Sequence, residues 1–222
     1  MRKYGISLLT LATALLATSG TWAADLPAVD EDGMQLVKDT RNTTVYADPG
    51  ADLGIYKKVW LQDASVSFKK NWQRDQNRAQ PFKVTDKDVE RIKTDVATLF
   101  RQVFEEQLRE GGYQLVDAAG PDVLLIKPAI VNLDVVAPDT NTPARTQQYS
   151  ESAGQMTLKL ELYDSETNDL IVKASDRKED FRQGYWEYRT RVNNRAVAKR
   201  MMTSWAKALR EALDEARVTV TG

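Results

Sequence analysis

Apolar positions recur at helical spacing along two long stretches of this 222-residue chain, and alternate or run together along five shorter ones. Val89, Ile92, Val96, Leu99, Phe100, Val103 and Leu108 share one face of a helix predicted over 86–109. Thr85, with Asp88 three residues on, has the form of a capping box at its start, and Gly111-Gly112 ends it. A second helix is expected over 195–217, with Asn193 or Asn194 as its cap. Its buried side is read as Val197, Met201, Trp205, Ala208, Leu209 and Ala212.

The extended segments carry the other period. Met156, Leu158, Leu160 and Leu162 alternate with polar neighbours, so that strand buries one face. The loop 164–169 joins it to a strand over 170–176 as a hairpin. A nearly continuous apolar run over 123–136 reads as a buried strand, in which Pro128 implies a bulge or an unpaired edge position. Residues 113–116 form a short strand. Over 56–68 the apolar side changes partway, which predicts a bulge or burial on both faces.

The predicted order is strand, helix, four strands, helix. It gives an α+β (α/β) fold with a single mixed, largely antiparallel sheet and two long helices packed on one face. Residues 55–222 then make one domain. Residues 24–54, acidic and broken by Pro27, Gly33, Pro49 and Gly50, read as a flexible N-terminal arm with at most a short ordered piece near Met34 to Val37. Asp30-Glu31-Asp32 within it reads as a solvated cluster.

Residues 1–23 have the composition of a cleaved export signal. Arg2 and Lys3 precede an apolar run, Ile6 to Leu16, that is too short to span a bilayer, and Thr21-Trp22-Ala23 suits cleavage after Ala23. The expected location is the periplasm, with no stable membrane anchor in the mature chain. The formal net charge of −1 becomes −3 once Arg2 and Lys3 are removed, which gives no global attraction to nucleic acid or to anionic lipid. The chain contains neither cysteine nor histidine. It can therefore form no disulfide, no thiolate or imidazole metal site, and no Ser-His-Asp or Cys-His catalytic set. No cofactor is called for.

The stretch Gly112-Tyr113-Gln114-Leu115-Val116-Asp117, followed by Gly120-Pro121-Asp122-Val123-Leu124-Leu125, resembles bacterial envelope proteins of the domain of unknown function 3313 family. The same holds for Tyr56-Lys57-Lys58-Val59-Trp60-Leu61, the helix around Phe100 to Leu108 and the hairpin Leu160 to Ile171. The likeness spans about residues 55–217 and rests on turn glycines and core positions. It implies an exported protein of a kind often lipidated, with no catalytic residues to carry over. This chain lacks the lipid-bearing cysteine, which implies a soluble form.

Three weaker patterns have plainer accounts. Asp164, Glu166 and Asn168 match positions one, three and five of a calcium loop, but Asp169 and Ser175 stand where glycine and a bidentate Glu belong, so a polar turn is expected. Ser67-Phe68-Lys69-Lys70 and Ser175-Asp176-Arg177-Lys178 fit S-x-x-K without its companion motifs. Asp63, Asp122 and Asp134 could serve a carboxylate-based hydrolase only if two met in a cleft.

Two arginine-aromatic clusters remain. One, with Trp72 and Arg74, lies in a loop from Lys69 to Lys83; the other holds Tyr185, Trp186 and Arg189. Such residues are enriched at interface hot spots, and these five are the candidate binding residues; the commoner account of the rings is packing. The reading is a non-enzymatic periplasmic binding or adaptor protein, its partner an envelope protein or glycan and not nucleic acid. The alternatives are a structural subunit that offers a free sheet edge, and the carboxylate hydrolase. Oligomeric state is left open.

Overall fold

The computed structural model describes residues 26–79, 83–136, 149–150, 154–180, 187–188 and 191–220. The signal-like segment 1–23 lies outside them. Ten strands and three helices follow in chain order: β1 Gln35–Asp39, β2 Thr43–Ala47, β3 Lys58–Leu61, β4 Ser65–Phe68, α1 Trp72–Ala79, α2 Asp86–Glu110, β5 Gln114–Leu115, β6 Val123–Val135, β7 Tyr149–Ser150, β8 Gly154–Asp164, β9 Leu170–Glu179, β10 Glu187–Tyr188 and α3 Arg191–Val220. Eight strands form one sheet in the order β1-β2-β9-β8-β6-β3-β5, with β4 also paired to β6; β7 and β10 pair separately. The sheet is mostly antiparallel, and β3 runs parallel to both β5 and β6. The fold class is the α+β arrangement expected from the sequence.

The capping box of α2 is formed as its spacing dictates. The Thr85 hydroxyl donates to the Asp88 carboxylate at 2.6 Å and accepts from the Asp88 amide at 3.2 Å, while the Thr85 amide donates back to that carboxylate at 3.1 Å. These bonds, the Thr85 hydroxyl's first, hold the buried Asp88 carboxyl below its ordinary titration range. The folded value therefore lies below the unfolded one. The stabilisation is complete above the unfolded pKa and is lost as pH falls through the folded value. Thr85→Ala is expected to cost about 1 kcal/mol near neutral pH. It should also flatten the acid limb of a stability profile below about pH 4, measured as urea midpoints. Parallel wild-type and variant profiles would refute the assignment.

The core lies between the sheet and the two long helices. Phe100, Phe104 and Leu108 of α2 and Met202 and Leu213 of α3 are fully buried against Val59, Leu124, Ile126 and Ile130. On α3 the buried stripe is Val197, Met202, Trp205, Ala206, Leu209 and Leu213; Ala208 and Ala212 are exposed. The larger apolar side chains take the sheet side, and the alanines predicted for it face outward.

Four further features differ from the sequence expectation. The presumed single strand 56–68 is two, β3 and β4, both on β6, and the break between them explains why the apolar side changes. Pro128 explains the break. The Gln62 amide donates to the Ile126 carbonyl, so the next rung of a parallel ladder needs an N–H from residue 128, which proline lacks. The bulge lies elsewhere in β6, at Asn132, which has φ +53° and is skipped in the pairing with both β4 and β8.

Residues 24–54 are more than a flexible arm. β2 extends the sheet beyond β9, and β1 folds back on it. Thr43-Thr44-Val45-Tyr46 is β-favouring, and the segment is fastened at two points. The Thr43 hydroxyl and the Trp205 indole both donate to Asp176, the latter at 2.6 Å. Asp30 and Asp32 grip Lys173, with Asp30 at 2.8 Å, so the acidic cluster is largely paired. That contact lowers the titration of Asp30 and raises that of Lys173.

Candidate binding cleft

Two of the five candidate binding residues, Trp72 and Arg74, lie among the described residues. Trp72 is buried at 4 % exposure. Its ring stacks on Phe68 at 4.0 Å and its indole N–H donates to the Val135 carbonyl at 3.2 Å. The expected loop is the short helix α1, whose single large apolar side chain faces the protein. Gln73 and Asn77 on it hold the backbone of Val84. A helix with one buried ring offers no apolar repeat to read. Arg74 is exposed and pairs with its neighbour Asp75 at 3.3 Å. Tyr185, Trp186 and Arg189 lie outside the described residues.

Each of the three carboxylates named for hydrolysis is paired with a cation. Asp63 meets Arg101 at 2.7 Å, Asp122 meets Lys58 at 2.8 Å, and Asp134 meets Lys69 at 3.3 Å. Asp122 and Asp134 flank opposite ends of β6, about 40 Å apart by strand rise. Asp164 belongs to the hairpin turn: it accepts from the amides of Glu166 and Thr167 and from the Tyr56 hydroxyl at 2.9 Å. The turn amides, Thr167's first, set its titration low. Desolvation and the Glu161 carboxylate push the Tyr163 hydroxyl up to about 12. Ser67 and Ser175 both lie on strands and open no helix.

What the fold does assemble is an apolar cleft of about 130 Å³. It lies between the first halves of α2 and α3, over the last residues of β6 and the first of β8. Leu99, Leu133, Met156 and Val197 form its buried floor. Ile92 and Val96 of α2 face Ala198 and Met201 of α3 as half-buried walls. Arg91, Asp95 and Arg195 stand at the mouth, with Arg91 drawn to Asp88 at 3.2 Å. Gly154 brings β8 hard against β6 beneath it.

Ile92, Val96, Leu99, Val197 and Met201 belong to the helical stripes legible in the sequence, and Leu133 and Met156 to its strands, where they read simply as core. A site that is apolar within and charged at its mouth binds by shape and orients by charge.

Neither sheet edge offers a long regular ladder to a partner strand. β5 has two residues, and β1 shifts register between Leu36 and Lys38.

A family model described as "Protein of unknown function (DUF3313)" matches residues 28–209. No curated protein matches. Solved structures with distant likeness include a PelC dodecamer from Paraburkholderia phytofirmans, at 11% identity and a TM-score of 0.39 over 76% of this chain and 97% of that one. A minor lipoprotein from Acinetobacter baumannii gives 11% and 0.36 over 73% and 96%. A DUF4136 family protein from Bacteroides thetaiotaomicron gives 14% and 0.34 over 79% and 98%. None of these is close enough to bring a function with it.

Proposed function

The chain belongs to the DUF3313 family of proteins of unknown function, and on that premise we propose that it is an exported, non-enzymatic binding protein of the bacterial cell envelope. The observation that carries this reading is the apolar cleft between α2 and α3. Its occupant is a single apolar side chain, of the size of leucine or phenylalanine, presented by a protein partner. A cavity of this volume takes one such group and is too small for a whole acyl chain; engineered cavities of about 150 Å³ take benzene.

Interface energy concentrates where one anchor fills one desolvated pocket, which is the use such a cleft serves best. The export pattern of residues 1–23 and the absence of histidine and cysteine support the location and the non-catalytic role. No described helix is long and apolar enough to cross a membrane.

A photo-crosslinking residue placed at Ile92 or Met201 of the full chain, in the cells it comes from, should yield one discrete adduct in the periplasmic fraction. Ala198→Trp fills the cleft and should remove that adduct. An anchor denied its pocket loses ~2 kcal/mol or more, roughly a 30-fold loss of affinity. Adducts that survive Ala198→Trp, or that form equally from the exposed Lys38, would refute the reading. So would a cytoplasmic chain that retains residues 1–23.

A further inference from the structure

The charges of α3 are arranged unlike those of the helix beside it. On α2 the ions are paired along the surface: Lys93 with Glu90, Arg91 with Asp88, and both Arg101 and Arg109 with Glu105. From Arg191 to Arg210, α3 carries six basic residues and no acid, in a chain whose net charge is slightly negative. Arg200 finds Asp180 at 3.4 Å and Arg210 finds Glu110 at 3.3 Å. Arg195, Lys199 and Lys207 are exposed and make no ion pair or hydrogen bond among the described residues.

That placement works against the helix itself. Arg195 and Lys199 are like charges one turn apart, which costs an isolated helix a few tenths of a kcal/mol. Between Lys199, Arg200 and Lys207, the small side chains Ala196, Thr203, Ser204 and Ala208 leave a shallow trough along the outward face, with Glu211 at its C-terminal end. From Ala196 to Glu211 it runs about 22 Å. It begins one residue after Arg195, which lines the apolar cleft.

We propose that this face of α3 is the recognition surface for an acidic protein segment, which lies along the trough and continues from the anchor held in the cleft. The inference rests on the proposed function above and adds the charge of the partner. Carboxylates one helical turn apart would match the spacing of Arg195 and Lys199, and the small side chains between the cations admit a backbone closely. An anionic membrane is the poorer match. Between Arg195 and Lys207 the outward face has no large exposed apolar side chain to insert, and three unpaired cations at roughly 1 kcal/mol each give only weak adsorption.

The test uses mature protein and a dye-labelled 20-residue peptide of Glu-Ala-Ala-Ala repeats in which one Ala is Leu, with a Gln-for-Glu counterpart. Anisotropy at low salt should show the acidic peptide bound at least ~10-fold more tightly, the equivalent of about 1.4 kcal/mol. Arg195→Glu, Lys199→Glu and Lys207→Glu together should erase that preference, and Gln at the same positions should reduce it. Ala198→Trp should weaken both peptides alike and leave their ratio intact, so failure of the cleft and failure of the charged face read out separately. A ratio near one overturns the proposal. So does loss of the ratio in a control with Lys38→Glu, Lys57→Glu and Lys87→Glu, all exposed elsewhere. Vesicles with 30 mol% phosphatidylglycerol that bind through these α3 cations, while the two peptides bind alike, would assign the face to lipid instead.

Discussion

Gly154→Ala is expected to lower the melting temperature by roughly 6–12 °C, the consequence of a loss near 3 kcal/mol in a domain of this size. The cause is backbone contact. A Cβ at residue 154 would stand 1.8 Å from the Asp134 carbonyl oxygen, and φ there is +128°, a region that L side chains rarely adopt. A flexible side chain could swing aside, but the Asp134 carbonyl belongs to the central strand. β8 would have to move off β6 at its first rung, where Gly154 faces Val135. The Asp180 amide, which donates to the Gly154 carbonyl at 3.0 Å, would lose its place as well. Backbone strain alone accounts for about 1–3 kcal/mol, and the displaced pairing supplies the remainder. Calorimetric melting within 2 °C of wild type would show that the two strands can separate there at no cost.

Phe104→Ala should cost about 3–5 kcal/mol, the range for removing a fully buried aromatic ring. Phe104 is wholly inaccessible, and its ring stacks on Phe100 at 3.9 Å with 24° between the planes. Both rings lie between α2 and the sheet, so no loop can collapse into the space vacated. Against a total stability of 5–15 kcal/mol, that loss leaves a small reserve. Urea unfolding should show a lower midpoint with an unchanged slope. Leu26→Ala, at 41 % exposure, is the matched control and should change stability by no more than about 0.5 kcal/mol. Equal shifts in the two variants would contradict the assignment of the core.

The elements legible in the sequence are those whose signal is local. The α2 stripe, its Thr85 cap, the alternating strand β8 and the Gly111-Gly112 stop each depend on neighbours within one or two turns. What escapes such reading depends on distant partners. β2 is ordered by β9 and by Asp176, whose other partner is Trp205, and no short window around Thr43 contains either. α1 escapes because only Trp72 on it is buried, fixed by the far end of β6. Among the candidate residues, Trp72 shows the limit of composition: a tryptophan among arginines reads as an interface hot spot, yet its N–H is satisfied by Val135 and its ring by Phe68. The cleft was present in the sequence as hydrophobic residues, but whether a stripe is filled or left open depends on which side chains of α3, β6 and β8 come opposite it.

Asn132 has a consequence for how this surface could change over time. Strand faces alternate with a period of two, so one supernumerary residue reverses the parity of everything after it. Because of it, Leu133 and Val135 point into the core and Asp134 points out to Lys69. Both flanking ladders skip the same residue, so both would close over its loss and leave Leu133 and Val135 facing inward. A single-codon deletion earlier in β6 has no spare residue to absorb it and would turn one end of the strand over. The binding surface is therefore inherited as a matter of counting: side chains along it can be exchanged one at a time, but a residue can be lost without turning the strand over only at the bulge.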